Sequence, residues 1–239
     1  MTQRFHDKVV LVAGGTGALG RAVSLAFLAE GARVAVTYRQ VKEFEVLRRA
    51  AEDRGTALIR CELDVTNVAA TEALAQRIVA EHGRIDVLVN AVGAYAGGTP
   101  LWETAPEVFE RMLSLNLRAG FALARAIVPA MLRQRSGAVV NVASKAAFDH
   151  GAGAAAYAAS KAAAVAMIDS LAADVKGQGV RVNSVVPSIF DTEENRKAMP
   201  GADFSRWPKP EEIARVVLFL CSDEARLIHG ASVPVYGET

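Results

Sequence analysis

Seven short apolar runs, each followed by a stretch of helical periodicity or a turn, constrain this chain more than any single motif. The runs fall near residues 8–13, 33–38, 57–62, 86–90, 138–143, 180–186 and 232–235. Short continuous apolar runs suit strands buried on both faces, as in a parallel sheet. Helical patterns lie between most of them, near 19–30, 41–54, 67–82, 105–134, 153–176 and 210–222. This alternation predicts an α/β fold, a doubly wound parallel sheet of about seven strands with helices on both faces. Thr104-Ala-Pro-Glu107 reads as a capping box, and Pro210 followed by Glu211 and Glu212 as a second helix start. No internal repeat or charge block divides residues 1–239, so the expectation is one domain. Only 188–209 lacks a clear period. A loop of that length after a strand's C-terminal end is where such sheets bind ligands, and it reads as a substrate lid.

The first strand runs directly into Gly14-Gly15-Thr16-Gly17-Ala18-Leu19-Gly20 and then into a helical pattern. Strand, glycine turn and helix together form the context of a dinucleotide site. Glycines let the backbone approach a pyrophosphate, and the helix N-terminus offers free N–H groups and a positive dipole end. An acid about 20 residues further on would take a ribose 2′-hydroxyl. Tyr38 and Arg39 stand there instead. Arginine favours a 2′-phosphate through charge-assisted hydrogen bonds, which points to NADP, with NAD possible.

Tyr157 and Lys161 are four residues apart in an alanine-rich helical run, on one helix face. A free phenol titrates at about 10, too high for proton exchange at neutral pH. A nearby ammonium favours the phenolate, and lowering the pKa by about three units needs roughly 4 kcal/mol. Lys161 and a bound oxidised nicotinamide are the expected sources. Taken alone, the pair reads as an exposed tyrosine and a solvated lysine, and Ser144 alone as a loop hydroxyl; the glycine turn and the other motifs in order outweigh that reading.

Basic side chains number 27 and acidic ones 26, so no overall field recruits nucleic acid or an anionic membrane. No uninterrupted apolar run reaches the length of a membrane span, and no secretory signal is visible in Met1–Lys8, which predicts a cytoplasmic protein. Cys61 and Cys221 are isolated and read as reduced thiols. His6, His82, His150 and His229 are scattered, and no metal site is expected.

Taken together, these motifs resemble the short-chain dehydrogenase/reductase family over nearly the whole chain. The resemblance implies a Rossmann-like fold and a nicotinamide-dependent oxidoreductase that reduces a carbonyl or oxidises an alcohol. Asn116, Ser144, Tyr157 and Lys161 resemble the catalytic asparagine, serine, tyrosine and lysine. Tyr157 would then exchange the proton and Ser144 would hydrogen-bond the developing oxyanion. Lys161 would tune the phenol and hold the nicotinamide ribose, and Asn116 would bind a water joining Lys161 to solvent. Gly14, Thr16, Gly17, Leu19 and Gly20 resemble the pyrophosphate turn, and Asp64-Val65 the adenine-contacting pair. Asn90, Ala91 and Gly93 resemble the turn after the fourth strand. Pro187 and Thr192 resemble the segment whose threonine touches the nicotinamide carboxamide. The family usually forms dimers or tetramers through two long helices, here 105–134 and 153–176, so a homo-oligomer is expected.

The departures from the family pattern define the alternatives. Ala13 and Ala18 replace a threonine and a glycine of the usual turn, and Gly14-x-x-Gly17-x-x-Gly20 resembles the spacing of extended epimerase- or dehydratase-type members. The turn after the fourth strand reads Asn90-Ala-Val-Gly93, and Ser188 follows Pro187. A nucleotide sensor without turnover is the other alternative. Tyr95, Trp102, Phe148, His150, Phe190, Met199 and Trp207 fall in the expected pocket segments and suit an uncharged or weakly polar carbonyl substrate.

Overall fold

The computed structural model describes residues 3–52 and 57–239. Its centre is one seven-stranded, wholly parallel sheet, in the order β3-β2-β1-β4-β5-β6-β7. The strands are β1 (Val9–Ala13), β2 (Arg33–Tyr38), β3 (Leu58–Glu62), β4 (Val87–Asn90), β5 (Gly137–Val142), β6 (Val180–Pro187) and β7 (Ser232–Val235). All seven expected runs are strands. The order reverses direction between β1 and β4, and in open α/β sheets ligands bind at the strand C-termini beside such a switch.

Eight helices are described: α1 (Ala18–Ala29), α2 (Val41–Ala51), α3 (Val68–His82), α4 (Pro106–Leu113), α5 (Ala119–Gln134), α6 (Ala155–Asp174), α7 (Glu193–Ala198) and α8 (Pro210–Cys221). The sheet's two faces bury separate cores. Val10 and Val12 of β1 pack with Val23 and Phe27 of α1 and with Ile213 and Val217 of α8. Val9, Leu11 and Ala13 face the other way, onto Leu74 and Ile78 of α3, Leu123 and Ile127 of α5 and Ile168 of α6. Both sets of β1 residues are fully buried, which is why the strand reads as a continuous apolar run rather than an alternating one.

Three local expectations are revised. Thr104 does not cap α4: Ala105 is the cap residue, and the Thr104 hydroxyl donates to the Pro100 carbonyl at 3.0 Å. Pro106 at the first helical position starts the helix instead. The expected helix 105–134 is α4 and α5 joined by a π-helical segment, Ser114–Arg118. Within Pro106–Gln134 one 18-residue window has a mean hydropathy of 1.3, apolar enough for a bilayer crossing, yet half of that window is buried inside the fold. The segment 188–209 contains α7 and a 3-10 turn at Phe204–Arg206, so local structure replaces the expected bare loop. Helix α2 ends at Ala51, and positions 53 and 54 of the pattern 41–54 lie outside the described residues. The start of α8 is as expected, with the Glu212 carboxylate accepting from the Lys209 N–H at 2.8 Å.

Candidate active site

The glycine turn joins β1 to α1 at the switch point. Gly14 has φ +70°, a conformation that disfavours side chains, and its N–H donates to the Thr37 hydroxyl of β2 at 3.0 Å. A Cβ on Gly20 would stand 2.9 Å from the Gly14 carbonyl carbon, so α1 can meet the turn only through glycine. Gly17 begins α1 with no side-chain cap and no acid in the first turn. The helix therefore presents uncommitted first-turn N–H groups, at Ala18, Leu19 and Gly20, to any anion above the turn. These residues fit a dinucleotide pyrophosphate. Leu19 itself is buried and packs in the core.

Further along the sheet edge, Asp64 and Val65 follow β3. The Asp64 carboxylate accepts from the Thr66 N–H and hydroxyl at 2.9 and 2.8 Å. Those bonds, with the Arg39 charge, hold it below the usual carboxylate range. Arg39 is exposed at the end of β2. Tyr38 ends β2. Its ring is buried, stacked on Phe44 with centroids 4.8 Å apart, and covered by the Arg60 guanidinium at 5.5 Å. The Arg60 side chain also bonds its hydroxyl. Tyr38 packs into the core at the end of β2, where a cofactor contact was expected.

Ser144, Tyr157 and Lys161 come together at the C-terminal end of β5. Ser144 leaves β5 and opens a 3-10 turn, its Oγ accepting from the Ala146 N–H at 3.2 Å. Tyr157 lies in the first turn of α6. Lys161, one turn on, is buried, and its Nζ donates to the Val142 carbonyl at 3.0 Å. Burial lowers its pKa to about 8.

In the protein alone the phenol shifts upward. Burial raises the Tyr157 pKa, Ser144 offsets part of this, and Tyr95 adds to the rise. Without a nucleotide, desolvation outweighs any help from Lys161, whose ammonium is turned to Val142.

Asn116 sits in the π-helical segment, buried. Its Oδ1 accepts from the Ala94 N–H at 2.9 Å. Its Nδ2 donates to the Ala94 carbonyl at 3.0 Å and to Ser160 Oγ at 2.9 Å. Ser160 in turn donates to the Tyr157 carbonyl at 2.7 Å. The Asn116 side chain thus clamps the loop after β4 to α6. A Cβ on Gly93 would lie 2.9 Å from Asn116 Oδ1 and 3.2 Å from Lys161 Nζ, so glycine is needed where those side chains converge.

Asn90 donates from Nδ2 to Asn141 of β5 at 3.0 Å and accepts from the Val92 N–H, while the Ala91 N–H continues the ladder to Ala13. Pro187 ends β6 opposite Val235. Thr192 caps α7, its Oγ1 accepting from the Asn195 N–H at 3.1 Å. Of the expected pocket residues, Tyr95 reaches Tyr157, edge to face at 5.0 Å between centroids. Trp102, Phe148, His150 and Met199 are exposed. Trp207 is buried and belongs to the core.

Sequence reasoning missed Ser160, Thr37 and Glu43. Ser160 was legible as the third residue after Tyr157 on the same helix. Thr37 was a lone polar residue in an apolar strand. Glu43, whose carboxylate accepts from the Thr16 hydroxyl at 3.0 Å, carried no local signal. Cys61 and Cys221 are buried free thiols, pushed up to about 11 and about 12 by burial. No cluster of potential metal ligands exists among the described residues.

A parallel sheet with a bare helix N-terminus at its switch point, and a serine–tyrosine–lysine cluster beside it, defines a nucleotide-dependent oxidoreductase of the Rossmann-like class. The chain belongs to the short chain dehydrogenase family, whose pattern it matches over residues 8–202. It is 32% identical over 242 residues to a 3-oxoacyl-(acyl-carrier-protein) reductase of Thermotoga maritima, with 98% of both chains covered. It is 36% identical to a D-threitol dehydrogenase of Mycolicibacterium smegmatis, covering 98% of this chain and 93% of the relative. A short chain dehydrogenase of Shigella flexneri, solved in complex with NADP, superposes with a TM-score of 0.90 at 26% identity, covering 98% and 99%. The protein is an oxidoreductase that uses a nicotinamide cofactor to interconvert an alcohol and a carbonyl.

Proposed function

We propose that the chain is an NADP-dependent carbonyl reductase and alcohol dehydrogenase in which Tyr157 exchanges the proton. One observation carries this reading: Tyr157 and Lys161 stand one turn apart on α6, with Lys161 reaching the end of β5 beside Ser144 and the switch-point crevice. When bound, the dihydronicotinamide supplies the hydride. Tyr157 donates a proton to the carbonyl oxygen as negative charge develops there, and takes one back in the oxidative direction. Ser144 holds that oxygen with a second hydrogen bond, a preorganised donor at the site of developing charge. Lys161 sits one turn below Tyr157 as a buried cation able to stabilise the phenolate once a nucleotide encloses the site.

For the nucleotide itself, Gly14, Thr16, Gly17 and Gly20 would cradle the pyrophosphate, and Asp64 and Val65 would border the adenine. Asn90, Ala91 and Gly93 would line the crevice, with Pro187 and Thr192 toward the nicotinamide. Arg39, exposed at the end of β2, supports NADP over NAD, as does the NADP carried by the Shigella neighbour.

The substrate is a small uncharged or weakly polar carbonyl or alcohol. Exposed Tyr95 and Phe148 offer it apolar surface, and 188–209 would close over it. Relatives named for 3-oxoacyl and polyol substrates bracket this range. A homo-oligomer, a tetramer or dimer, would cover the apolar groove of about 630 Å³ between α5 and α6, where Phe121 is half exposed beside Met167 and Leu171. Buried unpaired thiols suit the reducing cytoplasm. The test is a panel of ketones, 3-oxoacyl thioesters and polyols assayed by nicotinamide absorbance with both cofactors. NADPH consumption with a neutral ketone supports the reading, and tight nucleotide binding without turnover on any member overturns it.

A further inference from the structure

The turn that ends β2 carries charges that proton transfer does not use. Arg39 is exposed there, directly before Gln40, the cap residue of α2. Glu43 lies in the first turn of α2, its N–H bonded to the Gln40 carbonyl at 3.1 Å. Its Oε2 accepts the Thr16 hydroxyl at 3.0 Å. Thr16 is almost buried in the glycine turn, so this bond ties α2 to the β1–α1 turn across the space between them. On the third side, Asp64 feels the Arg39 charge. Two carboxylates thus border this turn, Asp64 within the field of Arg39 and Glu43 four residues after it, fixed to the glycine turn.

In a site of this kind, a ribose seated on the glycine turn presents its 2′ position toward the end of the second strand. An acid normally reaches it from the strand end itself. Here the strand end carries Arg39, and an acid arrives from the neighbouring helix instead, held in place by Thr16. A carboxylate accepts a hydrogen bond from a 2′-hydroxyl and repels a 2′-phosphate, whereas arginine attracts the phosphate.

We infer that Glu43 is a specificity-determining residue for the nucleotide: latched to Thr16, its carboxylate opposes Arg39 at the ribose 2′ position. The two residues set the NADP-to-NAD preference by difference, so that the preference supplied by Arg39 is held in check. This rests on the dinucleotide reading of the site. Gln at position 43 keeps an acceptor for Thr16 and removes only the charge.

The experiment is equilibrium binding of adenosine 2′,5′-bisphosphate and of 5′-AMP by calorimetry, to wild type, Glu43→Gln and Arg39→Ala. NADPH and NADH fluorescence titrations run in parallel. Glu43→Gln should raise the bisphosphate-to-AMP affinity ratio about tenfold, or ~1.4 kcal/mol. The gain should shrink at high salt, because these groups are exposed. Arg39→Ala should move the ratio the other way. An unchanged ratio in Glu43→Gln, with wild type binding both dinucleotides, overturns the inference while leaving the site intact. Failure of wild type to bind any of the four nucleotides overturns the dinucleotide reading, and the inference with it.

Discussion

Replacing Asn116 by alanine tests whether the clamp at the π-helical segment supports catalysis. The side chain makes three hydrogen bonds to oxygen and nitrogen partners, the Ala94 N–H, the Ala94 carbonyl and Ser160, and a weaker contact to Met112 Sδ. At about 1 kcal/mol net for each, the loss is ~3 kcal/mol, reduced if water enters the space. For a chain of this size that corresponds to a fall in melting temperature of about 6–12 °C. The structure also specifies where the damage falls. Ala94 follows Gly93, against which Lys161 packs, and Ser160 bonds the Tyr157 carbonyl. Freed from the clamp, Lys161 and Tyr157 lose their common reference, so kcat should fall by tenfold or more, ~1.4 kcal/mol of barrier. Nucleotide affinity, set mainly at the glycine turn, should change less. Urea unfolding measures the first effect, and steady-state kinetics at saturating nucleotide the second. A variant that loses under about 1 kcal/mol of stability and keeps wild-type kcat would show that Asn116 clamps nothing that catalysis needs.

Three further outcomes are expected. Tyr157→Phe removes only the exchangeable proton, so kcat should drop well over tenfold, above ~1.4 kcal/mol, while nucleotide titration stays near wild type; retention of a tenth of the rate would exclude Tyr157 as the acid. Ala166→Arg places a charge on the exposed face of α6 and should shift sedimentation toward monomer with loss of activity; an active wild-type monomer of 25.3 kDa at micromolar concentration would refute the assembly. Lys161 carries a pKa lowered from 10.5 to about 8, so the unfolded chain binds more protons in that window and this group's contribution to stability rises with pH. The raised thiols of Cys61 and Cys221 act oppositely above about 9, so the clean readout is wild type against Lys161→Met in nucleotide-free urea unfolding. Identical pH slopes for the two proteins between pH 8 and 9 would contradict the burial of a charged lysine.

Much of the architecture was legible in the chain before its fold was known. Strands buried on both faces must be apolar throughout, so β1, β4 and β5 announced themselves by composition. The glycine turn was equally plain, because only glycine fits where α1 meets Gly14. Tyr157, Ser160 and Lys161 sit on one helix, and helical spacing alone puts them near one another.

What the tertiary structure alone decided involves groups far apart in sequence. Tyr38 looked available at a strand end, yet Phe44 and Arg60 enclose it, and neither lies within reach along β2. The direction of the Tyr157 shift came from desolvation by surrounding elements, a quantity that no local spacing encodes. Asn116 reads as an ordinary helix residue until Ala94 and Ser160 are brought against it from two other elements. Glu43 likewise meets Thr16 only because β1 and β2 are hydrogen-bonded neighbours, which places the turn after one beside the helix after the other. Periodicity and steric demand act along the chain and can be read from it. Polar partnership and burial are properties of the packed whole, and they determined which of the legible residues do chemistry and which hold the frame.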